Sequence, residues 1–185
     1  TQQVTQGSPQ QPAQISAETP QIRIPKIDIT KFPGKTAILV LGNGPHPERN
    51  KYRARVAGDI SHKMREVGLR PQLIFSGGKT GNRTISEAQE QYNHLASNPK
   101  YSHLLTEKEN PAAVENKATS TASNISKTVD HLQKKGFQNV IVVSHEPGRG
   151  KNHGRRGATR LSKKIKNMNI TYWEPETPDI NRNFI

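Results

Sequence analysis

The sequence predicts an α/β protein, a three-layer α/β/α sandwich with a Rossmann-like, mostly parallel sheet of about five strands. Two features of the chain indicate this fold class. Short apolar runs at residues 36–41, 72–75 and 140–143 have the length of buried strands. Between them lie segments whose apolar residues recur at helical spacing. Strands that alternate with helices need crossover connections, which give a parallel sheet covered on both faces.

Residues 1–30 are predicted to form a disordered tail or linker, followed by one α/β domain over residues 31–185. The tail is rich in Gln, Pro, Ser and Thr and has no apolar periodicity before Ile22. Such a segment buries too little apolar surface to offset its ordering entropy. One hypothesis is that it follows a removed signal peptide or membrane anchor.

The first strand, residues 36–41, ends in the turn Gly42-Asn43-Gly44. A helix with one apolar face follows and ends at Gly68. Its apolar residues recur at spacings of four and three: Val56, Ile60, Met64 and Val67. The second strand, residues 72–75, then runs into the turn Ser76-Gly77-Gly78.

A second helix is predicted from one apolar face, formed by Ile85, Ala88, Tyr92 and Leu95. Thr84 and Glu87 have the spacing of a capping box at its start. A short strand is expected around residues 103–105. The polar run at residues 114–125 opens a third helix, which starts near Thr121 and stops at Gly136.

The run at residues 140–143 is the clearest buried strand of the chain, and a basic, Gly-rich loop follows it. A fourth helix is predicted from the spacing of its apolar residues, Ala158, Leu161, Ile165 and Met168. The last strand is expected over residues 169–173.

The chain has no cysteine, which excludes disulfides, thiolate zinc sites and cysteine nucleophiles. No run approaches the roughly 20 apolar residues that span a bilayer, so no transmembrane segment is predicted in this chain. The formal net charge is +13, and the Lys134–Lys166 region holds ten Lys or Arg residues against one acid, Glu146. Such a face attracts nucleic acid, anionic lipid or phosphorylated ligands. The alternative is an ordinary solvated surface in a very basic proteome.

Polar and glycine-rich turns follow three predicted strands, and the carboxyl ends of parallel strands meet at one edge of a sheet. The third of these turns is Ser144-His145-Glu146. Glycines there let backbone N–H groups approach an anion, and a following helix start adds partial positive charge. Gly42-Asn43-Gly44 is too short for a dinucleotide fingerprint, and a P-loop lysine pattern is missing. The alternative is that each turn only reverses the chain.

Several side chains near the helix starts are candidates for ligand binding. Ser86, Glu87, Thr121 and Asn124 have either this role or a purely local one as caps and braces. His145 and His153 flank the Gly-rich loop, and His153 with Arg156 suits a phosphate or carboxylate. The histidines lack the spacing of a metal pair, so no metal site is predicted.

Two motifs distinguish this chain: Ser76-Gly77-Gly78 followed by Ser86-Glu87-Ala88, and an acid, a small residue, Thr and Asn at three-residue steps. The second motif consists of Glu115, Ala118, Thr121 and Asn124. With them, residues 35–173 resemble the YdcF/SanA/ElyC-type family, a domain of unknown function. The family's arginine near the first helix start is matched by Arg55, with Arg53 as the competing match. Its His-x-x-Arg element is matched by His153 and Arg156, although residues 146–152 are longer and more basic than the family's usual connection.

The resemblance implies a polar cleft at the strand carboxyl ends and a place in the bacterial cell envelope, periplasmic or secreted, with the cytoplasm as the alternative. One branch of the family is reported to bind S-adenosylmethionine, which makes that molecule a candidate ligand. No reaction is assigned to the family, so the resemblance does not decide whether the protein is an enzyme.

We therefore expect an envelope-associated domain that binds a small anionic or nucleotide-like ligand, such as S-adenosylmethionine or a phosphorylated envelope precursor. The two glycine turns would provide backbone donors. Glu87 and Glu115 would bind hydroxyl or amine groups, or one would act as a general base. Thr121 and Asn124 would orient the ligand, and His153 with Arg156 would pair with its anionic group. Arg55 and His145 are further ligand-binding candidates.

The alternative is a non-catalytic module that binds nucleic acid or anionic lipid through the basic face. Its affinity would fall steeply with salt. It would depend on the basic residues of the loop and of the helix that follows: Arg149, Lys151, Arg155 and Arg156.

Overall fold

The computed structural model describes residues 21–118, 120–145 and 152–185. The described residues form the strands β1 (Thr36–Leu41), β2 (Gln72–Ser76), β3 (Ala113–Glu115), β4 (Asn139–Val143) and β5 (Asn169–Tyr172). They form the helices α1 (Pro47–Glu66), α2 (Glu87–Ala96), α3 (Ser102–Leu105), α4 (Thr121–Lys134) and α5 (His153–Lys164). Residues 1–20 of the predicted tail, and the basic loop residues Arg149 and Lys151, lie outside the described residues.

The strands form one parallel sheet in the order β3-β2-β1-β4-β5. In this register Leu41 at the end of β1 lies beside Ser76 of β2, and Ser76 lies beside Glu115 of β3. Helices cover both faces of the sheet, so the predicted three-layer, Rossmann-like fold is confirmed.

Alternate residues of each strand point to opposite faces, and this produces two apolar cores. Ile38 and Val40 face the core formed with α1, α2 and α3. Leu39 and Leu41 face the core formed with α4 and α5. All six side chains of β1 are buried, because β1 lies in the middle of a sheet that is covered on both sides.

The strand order places a crevice at the carboxyl ends of β1 and β4. From β1 the chain leaves through α1, which packs on one face of the sheet, and from β4 it leaves through α5, which packs on the other face. Connections that leave neighbouring strands toward opposite faces open a gap between them. In open α/β sheets this gap is where ligands bind.

The strand expected around residues 103–105 is wrong, because these residues belong to α3. Leu104 and Leu105 are neighbours in the chain and are both buried in the same core. A strand would have turned consecutive side chains toward opposite faces, whereas this helical turn directs both into one core.

The interpretation of residues 114–125 as a helix start is wrong for its first part, because Glu115 ends β3. The three residues of β3 form the sheet edge by pairing with β2. This strand is too short for any alternation to be visible in the sequence, and only pairing with β2 defines it.

The predicted capping box of Thr84 and Glu87 is also wrong. The second helix begins at Glu87, and its N-cap is Ser86, whose hydroxyl accepts a hydrogen bond from the Gln89 amide at 3.0 Å. Ile85 therefore lies outside the helix and is 39 % exposed. The turn after β2 sets this start, because the carbonyls of residues 77 and 78 accept the first helical amides.

The third predicted helix, α4, starts at Thr121 as expected, but the cap is the residue before it. Ser120 and Ser123 form a reciprocal capping box at this start. In the fourth predicted helix, α5, Ile165 is the C-cap, and Met168 lies beyond the end of the helix.

Residues 21–30 are part of the predicted tail, but apolar side chains of this segment pack on the domain. Ile27 is buried, and Ile22 and Ile24 pack on the same core. The indole of Trp173 donates a hydrogen bond to the Arg23 carbonyl at 3.1 Å. These contacts attach the segment to the end of β5.

Candidate functional site

A cavity of about 200 Å³ lies in the crevice at the carboxyl ends of β1 and β4. We call it the arginine cavity. It is lined by Leu41, Gly42, Asn43, Arg53, Ser144, His153, Arg156, Gly157 and Arg160. Three of these side chains are guanidinium groups, and no Asp or Glu is among the described residues that line it. The arginine cavity therefore has the charge of an anion site.

The guanidinium of Arg53 is fixed against the end of β1. Arg53 is only 4 % exposed, and its Nη1 donates to the carbonyls of Leu41 at 2.6 Å and Gly42 at 3.1 Å. A charged group held by two backbone carbonyls keeps its position without a ligand. Such a preorganised cation binds an anion at a smaller entropic cost than a freely rotating side chain.

Helix α5 supplies the other basic groups of the arginine cavity. His153, Arg156 and Arg160 lie at helical spacings of three and four, so they share one face. Gly157 on the same face lets α5 approach the sheet closely, since a Cβ there would lie 3.0 Å from the Ser144 hydroxyl. That hydroxyl also donates to the His153 carbonyl at 2.7 Å. Strand β4 thus positions the start of α5.

A buried acid accepts a hydrogen bond from a backbone amide at the start of α5. Glu174, which is 5 % exposed, accepts a hydrogen bond from the Arg155 amide at 3.1 Å. A carboxylate at a helix N-terminus interacts favourably with the helix dipole. This acid lies at the amides of the first turn and is absent from the lining of the arginine cavity.

A second cavity, of about 150 Å³, lies on the other side of the Gly42-Asn43 turn. We call it the Glu87 cavity. Its lining shares Gly42 and Asn43 with the arginine cavity and adds Gly44, Thr80, Glu87, Ala118, Ser120 and Asn124. The two cavities therefore adjoin, and they differ in charge.

Glu87 is buried between the two glycine turns. A Cβ on Gly42 would lie 2.0 Å from its Oε2, and one on Gly77 would lie 2.8 Å from the same atom, so both turns need glycine. The Thr80 hydroxyl donates to its Oε1 at 2.8 Å. Burial raises the pKa of Glu87, and the Thr80 hydrogen bond and the charges of Arg83 and Arg53 partly oppose this shift.

Asn124, in the first turn of α4, is the second acceptor of the Glu87 cavity. It is 3 % exposed, and its Oδ1 is buried without a hydrogen-bond partner. Buried polar atoms are nearly always satisfied in folded proteins. An unsatisfied carbonyl oxygen in a cavity wall points to a missing donor.

Three of the backbone donors expected from the glycine turns are engaged within the protein. The amide of Gly42 donates to Ser76, and that of Gly77 donates to Glu115. The Asn43 amide donates to the Asn50 side chain at 2.9 Å. Pairing between neighbouring strands continues one residue beyond their ends and uses the Gly42 and Gly77 amides. The glycines instead make room for the Glu87 side chain.

The structure separates the two arginines that compete as the family match. Arg53 lines the arginine cavity, whereas Arg55 donates to the imidazole of His94 at 3.2 Å, between α1 and α2. In a helix, residues two positions apart point in nearly opposite directions. Of these two arginines, Arg53 is therefore the one that lines the candidate site.

The remaining candidates lie around the two cavities without lining them. The Glu115 carboxylate accepts from the Ser76 hydroxyl at 3.3 Å and from the Lys117 amide at 2.9 Å. Ser86 caps α2 and lines an outer groove, and Gly78 packs on the Ala118 backbone. His145 is buried with its ring 6.4 Å from that of His153. Thr121 begins α4.

Four residues that line or support the cavities were missed in the sequence: Asn50, Thr80, Ser120 and Arg160. Arg160 carried a usable signal, since it lies four residues after Arg156 on the same helix face. Thr80 and Asn50 carried none, because their role arises from contacts with Glu87 and with the Asn43 amide.

In the described part of the chain, no group of three or more His, Cys, Asp or Glu residues could hold a metal ion. Across residues 21–118, 120–145 and 152–185, no helix combines the length and apolar character needed to cross a bilayer. No protein-family model matches the chain, and no curated protein matches it.

Proposed function

We propose that the protein binds a small ligand through a phosphate or similar anionic group in the arginine cavity. The observation that carries this proposal is the convergence of Arg53, Arg156 and Arg160 at the crevice between β1 and β4. Guanidinium groups form paired hydrogen bonds with phosphate and carboxylate oxygens. A volume of about 200 Å³ suits one such group with a few atoms attached.

S-adenosylmethionine, the candidate ligand that the resemblance implies, fits these residues less well. No Phe, Tyr or Trp is among the described residues lining either cavity, so none of them would stack on adenine. The three guanidinium groups also repel its sulfonium cation. The family relationship and the envelope location stay proposals that rest on the resemblance.

The test is isothermal titration of the protein with inorganic phosphate, with S-adenosylmethionine as the comparison ligand. We expect the double variant Arg156→Ala and Arg160→Ala to bind phosphate at least tenfold more weakly, since each charged hydrogen bond contributes roughly 1.5–3 kcal/mol. The matched control removes two other cations of α5, Lys163→Ala and Lys164→Ala, which lie in the last turn. Equal loss in both variants, or no phosphate binding by the unaltered protein, would contradict the proposal.

A second candidate function is non-specific binding of nucleic acid or anionic lipid through the basic face. The observation that favours it is the exposure of several cations along α5: Arg155, Arg156, Arg160, Lys163 and Lys164. This function needs only surface charge, whereas the first needs the arrangement of three particular arginines. Salt dependence and the two double variants distinguish them.

A further inference from the structure

We infer that the ligand is a phosphorylated polyol or sugar, with its phosphate in the arginine cavity and a hydroxyl group in the Glu87 cavity. This inference rests on the proposed function and adds the chemistry of the rest of the ligand. Its basis is the contrast between two adjoining cavities, one with cationic donors and one with acceptors.

The two cavities meet at a turn that has little side-chain bulk. Both are lined by Gly42 and Asn43. Arg53 lies on the arginine side of this turn, and its charge acts on Glu87 on the other side. A ligand of a few bonds' length can therefore place groups on both sides of Gly42.

The Glu87 cavity offers acceptors that a ligand donor would satisfy. The Oδ1 of Asn124 is buried without a partner, and Asn124 is 3 % exposed. Glu87 presents a buried carboxylate in the same cavity. A buried acceptor without a donor is unfavourable, so a ligand O–H at this place gains the full hydrogen bond.

The same surroundings select a neutral donor over a charged group. A second phosphate or a carboxylate would meet the Glu87 carboxylate and the Asn124 carbonyl oxygen, which repel anions. An ammonium group would lie beside the cavity that holds three guanidinium groups, and the charge of one of them, Arg53, acts on Glu87. A hydroxyl has one proton, which it can donate to either acceptor without either repulsion.

The first experiment uses the unaltered protein and matched pairs of phosphate esters in isothermal titration. Glycerol 3-phosphate is compared with n-propyl phosphate, and myo-inositol 1-phosphate with cyclohexyl phosphate. Each pair shares the phosphate and the carbon frame and differs in hydroxyl groups. We expect the hydroxylated member of at least one pair to bind about tenfold more tightly, the effect of one well-formed hydrogen bond to a charged acceptor.

The second experiment removes the acceptors one at a time. Asn124→Leu and Glu87→Gln should each reduce the preference for the hydroxylated ester over its apolar partner by at least threefold. Ser126→Ala is the control, because this exposed residue lies on α4 outside both cavities. If a variant fails to fold, the ester pairs with the unaltered protein still decide the question.

The outcomes separate the two proposals. Equal binding of hydroxylated and apolar esters would overturn this inference and leave the anion site intact. Binding of no phosphate or ester would overturn the proposed function, and this inference with it. A hydroxyl preference that survives both Asn124→Leu and Glu87→Gln would place the hydroxyl elsewhere and also overturn the inference.

Discussion

Arg53 and Arg55 show how the position of a single residue decides its role. The two arginines lie in the same helix, α1. Arg53 is buried and donates to the carbonyls at the end of β1, whereas Arg55 is half-buried and contacts His94. Arg53 therefore bonds α1 to the end of β1 and adds positive charge to the arginine cavity. Arg55 only bridges two helices.

Replacing each arginine by methionine should separate these roles. Arg53→Met removes the charged donor from two strand-end carbonyls, and we expect a loss of about 2 kcal/mol or more in the free energy of unfolding. Arg55→Met should cost about 1 kcal/mol or less, because it removes one half-buried hydrogen bond. Urea denaturation measures both. A loss of unfolding free energy in Arg53→Met no larger than that in Arg55→Met would contradict the stabilising role of Arg53 at the strand ends.

The buried Glu87 should make stability depend on pH in a defined direction. Burial raises the pKa of Glu87 above its ordinary value of 4.5. The folded protein then binds this proton more tightly than the unfolded chain does, so protonation stabilises the fold. The stabilisation is complete below about pH 4.5 and is lost as the pH rises through the folded pKa.

We therefore compare the unaltered protein with Glu87→Gln by urea denaturation from pH 4 to pH 8. The difference in unfolding free energy should favour the unaltered protein most at low pH and shrink toward neutral pH. Glu48→Gln is the control, since the Glu48 side chain is 83 % exposed. A difference that grows with pH would contradict the raised pKa of Glu87 in the folded protein.

At the scale of elements, the site depends on how closely α5 packs on the sheet edge. Two glycines allow this approach. Gly157 faces the ends of β1 and β4, and Gly154 lies against the backbone after β5, where a Cβ would be 2.6 Å from the Trp173 carbonyl oxygen. Because the neighbour at Gly154 is backbone, it cannot move aside cheaply.

Gly154→Ala should push the start of α5 away from the sheet. We expect a loss of about 1–3 kcal/mol in unfolding free energy, as for other overpacked positions. Phosphate affinity should fall several-fold, since His153 and Arg156 would move with the helix. Ser162→Ala on the same helix is the control, because its hydroxyl bonds only within α5. Unchanged affinity in Gly154→Ala would show that the start of α5 does not shape the arginine cavity.

At the scale of the whole molecule, the net charge attracts any polyanion, whereas the strand order creates a specific site. The formal net charge of +13 is spread over 28 Lys and Arg residues against 15 acids. Any polyanion experiences this long-range attraction. The strand order, in contrast, creates one crevice between β1 and β4 and brings three arginines to it.

Duplex DNA binding should therefore respond alike to both double variants of α5. Each variant removes two of the 28 basic residues. We expect each to lower the salt-dependence slope of DNA affinity by at most about 2, in line with about 0.9 per lost phosphate contact. Fluorescence anisotropy across a salt series measures this slope. A selective loss of DNA binding in Arg156→Ala with Arg160→Ala would instead make the arginine cavity part of a nucleic-acid site.

The sequence by itself determined the fold class and the edge of the sheet that carries the polar residues. These follow from local patterns, because the length of an apolar run and the spacing of apolar residues reflect strand and helix periods directly. The same patterns located Glu87, Asn124, His153 and Arg156 near the carboxyl ends of the strands. They could not show whether such a residue caps its helix or binds a ligand, since both roles favour the same small polar residues at helix starts.

Only the tertiary structure decided which of these side chains meet. It placed Arg53 rather than Arg55 at the arginine cavity, placed Glu115 on an edge strand and paired the Gly42 and Gly77 amides with neighbouring strands. Each outcome depends on contacts between segments far apart in the chain, such as Thr80 with Glu87 or Ser144 with α5. Local sequence carries no record of such contacts, because packing against a distant partner selects the face that a residue presents.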